Sequence, residues 1–245
     1  MHTSRPSIAE LRAATQPPQI FERNSGEHWA GRLYIRRFSP YATRVFLRLG
    51  FSPDGVTWLF VATGVAAAAL LALDGVLPAA GAFLLIQLQI LLDCSDGEVA
   101  RWQGRSSPRG IYLDRVGHYV TEAGLPIALG IRADELTLGL VVAVLVLLIK
   151  SETALVHLAR AESGKPPAAD RQAVAAPRRG VLRSLRSALR FAPFFRAFVA
   201  MEFTLLVLTA EIAGLTDELL VALIPVAAVT ALGHLAAILT SDRLR

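Results

Sequence analysis

GAFLLIQLQILLDCSDGEVARWQGRSSPRGIYLDRVGHY, residues 81–119, passes from nearly pure hydrocarbon into a knot of charge. The apolar run predicts a membrane-spanning helix over 77–100, since a span needs about 20 mainly apolar residues. Yet this one ends in Asp93 and Asp96, and a third carboxylate, Asp114, follows a short polar loop. A charge facing lipid costs about 3 kcal/mol or more, so these carboxylates are expected to face a bundle interior or a water-filled cavity. Asp93 and Asp96 are three residues apart and share a helix face. At about 1.5 Å per residue, Asp93 lies roughly 12 Å along the axis from Arg101, below the helix mouth and well above the membrane centre. Gly97 and Ala100 are small enough for a backbone or ligand to approach. Arg101 brings a planar fork suited to phosphate.

The next helix is expected near Gly110, with Asp114 about one turn into it. An antiparallel pair would return Asp114 to the depth of Asp93 and Asp96. Three carboxylates in a confined place repel unless protons or cations neutralise them. Carboxylate oxygens without a thiolate suit hard cations, Mg²⁺ or Mn²⁺, one or two ions, which usually work with substrate phosphates. A single Asp near a helix end is more often a cap or a solvated charge, and a pair at i,i+3 is still more often bland. The full spacing is another matter. Asp, two residues, Asp-Gly, two residues, Ala-Arg, eight residues, Gly, three residues, Asp has a chance at a given start on the order of 10⁻⁸ to 10⁻⁹.

The rest of the chain fits a membrane reading. It is 53% hydrophobic, with mean hydropathy +0.47, too apolar for an ordinary soluble domain. Six apolar blocks, 55–74, 77–100, 110–131, 136–158, 193–213 and 217–240, predict an all-α integral membrane protein with six transmembrane helices. The first 50 residues are polar and Arg-rich, without a short apolar core and cleavage site, so the first span is expected to stay as an anchor. The net charge is +5 and the pI near 10, but position argues against nucleic acid. Basic residues gather before 50, around 101–115, between 160 and 190, and at the C-terminus. Six spans put these on one side, leaving Arg132 as the sole basic residue of the other. This positive-inside pattern places both termini in the cytoplasm and the basic regions against the lipid bilayer of the cell membrane. The lone Cys94 rules out an intrachain disulfide and reads as a small buried thiol.

Two regions are expected: residues 1–52, an N-terminal arm and interfacial helix, and residues 53–245, the transmembrane domain with a basic loop over 161–192. Residues 1–30 read as a mobile arm broken at Pro17 and Pro18. Residues 31–50 read as an amphipathic interfacial helix, with Ser39 as N-cap, Pro40 at the first helical position, and Val45, Phe46 and Leu49 dipping into lipid. Ser52, Pro53 and Asp54 mark the start of the first span. Leu182, Leu185 and Leu189 suggest a second surface helix in the basic loop. Trp29, Trp58 and Trp102 read as anchors at the water–lipid boundary.

DCSDGEVARWQGRSSPRGIYLD resembles the signature of the CDP-alcohol phosphotransferases, membrane enzymes of phospholipid synthesis: DxxDGxxAR, about eight residues, GxxxDxxxD. Asp93, Asp96, Gly97, Ala100, Arg101, Gly110 and Asp114 match. SPYATRVFLRLGFSPDGVTWL resembles the family's interfacial helix entering its first span, and RAE at 160–162 weakly resembles a stretch of members that use phosphorylated acceptors. The resemblance implies that an acceptor hydroxyl attacks the phosphorus of a CDP-linked lipid donor, often CDP-diacylglycerol, and CMP leaves. It implies Asp93, Asp96 and Asp114 as metal ligands, and Gly97, Ala100, Arg101, Gly110 and Thr57 around the nucleotide and its phosphates. It also implies a homodimer and an active site near the cytoplasmic face.

His118 stands where the signature has its fourth Asp, generally assigned as the base. Three readings are open. His118 is the base, oriented by Glu122 one turn on. Or it is a metal ligand, with Glu122 or water handling the proton. Or the chain is a degenerate member that binds metal or nucleotide without turnover. Glu122, Lys150, Arg160 and Arg196 are candidates for support or acceptor binding, and Glu152 and His157 form a polar group beside Lys150. The acceptor is a polar alcohol; the basic mouth leans toward a phosphorylated one such as inositol phosphate or glycerol phosphate.

Overall fold

The computed structural model describes residues 6–17, 30–166, 194–240 and 244. All its regular elements are helical. They divide into two compact units, Met1–Leu70 with Gly81–Thr121, and Leu71–Ala80 with Glu122–Arg245.

The first unit opens with α1, Ile8–Thr15, in the region expected to be a mobile arm. Its N-terminus carries a capping box: the Glu10 N–H donates to Ser7 Oγ at 3.2 Å, and the Ser7 N–H donates to Glu10 Oε2 at 2.7 Å. Two orphan donors are thereby satisfied, and the helix ends ahead of Pro17. After a π-helical turn at Gly31–Ile35 comes α2, Arg36–Arg48. The expected start at Ser39 and Pro40 is corrected: Pro40 lies inside the helix. Proline lacks the N–H that would bond the carbonyl four residues back, here that of Arg36. The side-chain amide of Gln16 supplies that bond instead, Nε2 to the Arg36 carbonyl at 2.9 Å. Ser39, buried rather than capping, donates to Glu98. The other face of α2 exposes Phe38, Tyr41, Val45 and Leu49, as lipid contact would require. Phe46 instead turns inward, packing on Phe51 and the unit's core.

The long helices follow: α3 Pro53–Leu71, α4 Val76–Gln103 and α5 Pro108–Arg132. Ser52 Oγ caps α3 as expected, accepting from the Gly55 N–H at 3.1 Å. Ser107 does the same for α5 through Gly110, also at 3.1 Å. Leu11, Leu47, Val56, Phe60, Leu92, Val99 and Trp102 form the apolar core of this unit. Trp102 is thus a core residue, not the expected boundary anchor. Trp58 is exposed, while Trp29 and the surface helix expected over 182–189 lie outside the described residues.

The second unit holds the far end of α5 with α6 Leu136–Glu162, a short 3₁₀ turn at Phe194–Phe198, α7 Ala200–Ala213 and α8 Thr216–Leu239. Arg132, at the end of α5, is buried and clasps three groups. Its guanidinium donates to Glu211 Oε2 at 3.0 Å, to the Leu71 carbonyl at 3.0 Å and to the Gly75 carbonyl at 2.6 Å. The cation satisfies the Leu71 carbonyl, which the end of α3 leaves unpaired, and adds a bond to the Gly75 carbonyl, which also accepts from the Ala79 N–H at 3.4 Å.

Among the described residues, three helices, α3, α4 and α8, are long and apolar enough to cross a membrane. The segments Leu136–Glu152 and Ala154–Glu162 of α6 meet at 45° and qualify together as a fourth. The two remaining blocks fall short for physical reasons. α5 carries Asp114, Arg115, His118 and Glu122. α7 has 14 residues, about 21 Å of helix at 1.5 Å per residue, against a hydrocarbon core of about 30 Å.

Candidate active site

The site lies within the first unit, where α4 and α5 present the residues of the opening stretch. Asp93 and Asp96 come from consecutive turns of α4, and Asp114 and His118 from consecutive turns of α5. His118 Nε2 is 3.3 Å from Asp93 Oδ1 and 3.6 Å from Asp114 Oδ1. One ligand atom from each of the three residues lies within 4.8 Å of the other two. Asp114 Oδ1 is buried and makes no hydrogen bond. Two hard oxygens and an imidazole, one oxygen orphaned, are a donor set that fits a divalent cation such as Mg²⁺ or Mn²⁺.

The packing behind His118 decides where its ring points. Phe60 meets the imidazole edge to face, with ring centres 4.9 Å apart at 63°. Gly117 makes that contact possible. A Cβ at 117 would come within 2.4 Å of Phe60 Cε1 and 2.7 Å of Val61 Cγ2. The absent side chain lets α5 close on α3, which carries Phe60.

Asp96 stands apart from the trio. It is buried, and its Oδ2 accepts from Thr57 Oγ1 at 2.8 Å. Thr57 is therefore the partner of a carboxylate, a contact that the sequence reading did not single out. Arg101, one turn beyond Gly97, folds back over it: a Cβ at 97 would lie 3.1 Å from Nη1 and 3.4 Å from Nη2. The glycine seats the guanidinium. Arg101 Nε donates to the Thr15 carbonyl at 2.7 Å, so α1 helps to form the site's edge. Gly110 lies in the first turn of α5, where a Cβ would meet Ser107 Oγ and Asp54 Oδ1 at ordinary contact distance.

The family of CDP-alcohol phosphatidyltransferases matches residues 50–231. This chain belongs to that family. The match contains α3, α4 and α5 whole, with every residue of the trio, while α1 and α2 precede it. Archaetidylinositol phosphate synthase of Aeropyrum pernix is 42% identical over 81 residues, which is 33% of this chain and 40% of that relative. The aligned region thus spans less than half of the relative's length.

The other expected site residues sit in the second unit of this family member. Glu122, expected to orient His118, takes Lys150 as its partner, Nζ to Oε1 at 2.7 Å. Its Oε2 is buried without a hydrogen bond. Arg160 Nε donates to the Pro166 carbonyl at 2.9 Å, and Arg196 is exposed in the 3₁₀ turn. Glu152 pairs with His234 Nδ1 of α8 at 2.5 Å, a partnership without a sequence signal because 82 residues separate the two. The most informative omission is Glu98, between Asp96 and Arg101 near the end of the motif helix and fully buried. It accepts from Ser39 Oγ at 2.6 Å, Thr43 Oγ1 at 2.7 Å and Gln16 Nε2 at 2.8 Å. Its signal was present: Ser39 and Thr43, at i,i+4 on a helix whose other face is apolar, imply a buried polar partner.

Proposed function

We propose that this chain is a membrane transferase that moves a substituted phosphate from a CDP-linked lipid donor, CDP-diacylglycerol or a close analogue, to the hydroxyl of a polar alcohol. The observation that carries the reading is the convergence of Asp93, Asp114 and His118 within 4.8 Å, inside the region matched by the family. The acceptor oxygen forms a bond to the donor's β-phosphorus, the one attached to the lipid alcohol. The bond from that phosphorus to the bridging oxygen breaks, and CMP leaves with the electron pair.

Asp93, Asp114 and His118 would hold a divalent cation, with Asp96 beside them on Thr57. Such an ion, when bound, neutralises the diphosphate and stabilises the departing phosphate. Arg101, seated on Gly97, offers a bidentate fork to a phosphate oxygen pair. Ala100 and Gly110 leave room for the nucleotide. Holding an ion occupies the lone pair of Nε2, and a base needs that lone pair for the acceptor's proton, so one nitrogen cannot do both. The approach of Nε2 to two carboxylate oxygens supports the ligand role. Glu122 is engaged by Lys150, so the acceptor's proton is assigned to water. The His118 side chain is 44% exposed, which keeps water within reach.

The acceptor is assigned to the phosphorylated alcohols, inositol phosphate foremost. The name of the Aeropyrum relative and the basic residues clustered around 101–115 support this. Six spans, both termini in the cytoplasm and a homodimer complete the proposal, on the basic-residue distribution and the family resemblance. The test is product identification. Membranes containing the protein are given CDP-diacylglycerol, Mn²⁺ and a pool of inositol phosphate, glycerol phosphate and their free alcohols. Mass spectrometry is expected to find one new phospholipid carrying a phosphorylated headgroup, absent with Asp96→Asn. A product from a free alcohol alone would overturn the acceptor assignment. If no new lipid forms with wild-type protein while His118→Asp makes one, the natural chain binds without turning over.

A further inference from the structure

The N-terminal helix lies outside the family match, yet it is built into the edge of the site. Three kinds of contact hold it there. Leu11 is buried in the apolar core with Val99 and Trp102 of α4. Arg12 Nη2 donates to the Arg37 carbonyl at 3.1 Å. At the end of α1, Gln16 Nε2 reaches Glu98 Oε1 at 2.8 Å, the Arg36 carbonyl at 2.9 Å and Ser39 Oγ at 3.3 Å. The amide has two hydrogens, so the shorter pair are its main bonds. One anchors it to the buried carboxylate of the motif helix, and the other fills the gap that Pro40 leaves in α2. Next to Gln16, the carbonyl of buried Thr15 receives Arg101 Nε at 2.7 Å. A carbonyl in the last turn of a helix has no partner within the helix and carries part of its negative pole.

We propose that Gln16 is a positioning residue for Arg101. By latching the end of α1 to Glu98, it fixes the Thr15 carbonyl, which in turn holds the guanidinium over Gly97, ready for the phosphate of a cytidine nucleotide. Only Nε is spent on the carbonyl, and the residue stays exposed, so the fork faces a ligand while its stem is fixed. An Arg side chain has much rotamer freedom to lose. A side chain ordered in advance loses less of it on binding, and affinity gains accordingly. Glu98 serves as the fixed point because three donors hold it in a fully buried place. The inference rests on the transferase reading, since it takes CMP as the ligand.

The test uses the full chain in detergent, with CMP as probe at fixed Mn²⁺. Gln16→Glu places a carboxylate against Glu98 and should raise the CMP dissociation constant about tenfold, the value of one strong hydrogen bond. In an Arg101→Lys background, which keeps the charge and loses the fork, the same substitution should change the constant less than about twofold, because coupled residues are not additive. Should Gln16→Glu fail to fold, Gln16→Ala adds no charge and is read the same way, with an expected loss of about threefold in the parent. A loss equal in both backgrounds, or none in the parent, overturns the positioning role and leaves the transferase reading intact. Absence of CMP binding by the wild type overturns both.

Discussion

His118 Nε2 sits between two carboxylates, and its role there has consequences that differ from those of a base. If it holds the ion with Asp93 and Asp114, His118→Ala should weaken Mn²⁺ binding about 10- to 100-fold, the scale on which a metal site loses affinity when its support is cut. Electron paramagnetic resonance titration of Mn²⁺ reads this without turnover. Unchanged Mn²⁺ affinity with slowed CMP release would make His118 the base instead. At this scale the sequence was legible in part: of the three carboxylates expected to converge, Asp93 and Asp114 do, with His118 joining them, while Asp96 takes Thr57 as its partner. It was less legible where a side chain had a choice of partners. Glu122 lies one turn from His118 in sequence, but it meets Lys150, whose ammonium pairs with the buried carboxylate at 2.7 Å. Thr57 was legible as a residue near the site and not as the donor to Asp96, because that contact depends on how α3 lies against α4.

Between elements, the contact of α5 with α3 depends on the missing side chain of Gly117. Gly117→Val would drive its methyls into Phe60 and Val61, and overpacking of this kind costs about 1–3 kcal/mol. Its thermal midpoint should fall by several degrees, and because Phe60 backs the His118 ring, Mn²⁺ affinity should fall with it. Gly233→Ala in α8, where a Cβ meets nothing within 4 Å, should leave both unchanged or raise the midpoint slightly. A Gly117→Val protein as stable as the parent would contradict the close packing of these helices. The long helices were readable from their apolar runs and, for α3, from Ser52 at its start, whereas the Ser107 cap of α5 was not singled out. Two readings of the N-terminal region failed for opposite reasons. Ser7 to Glu10 is a capping box in plain sequence, but the arm's polarity hid the one buried leucine that docks it. Ser39-Pro40 is a good start signal, overridden because Gln16, distant in the chain, repairs the bond that Pro40 breaks.

Across the whole molecule, apolar length identifies α3, α4 and α8 as helices fit to cross a membrane, and α6 as a fourth across its bend. The other two proposed spans depend on what surrounds them. α5 brings charge that hydrocarbon alone would not accept, and that charge is the site itself. Arg132, the lone cation expected on the far side, is spent on Glu211 and two carbonyls, so it adds little free charge to that surface. The measurement that bears most directly on the transferase reading is CMP release by the purified wild-type protein from CDP-diacylglycerol, with inositol phosphate present, with Mn²⁺ and then with chelator. The account predicts release that requires both metal and acceptor and is lost in Asp93→Asn. Release that persists in chelator, or that Asp93→Asn leaves at the wild-type rate, would contradict it.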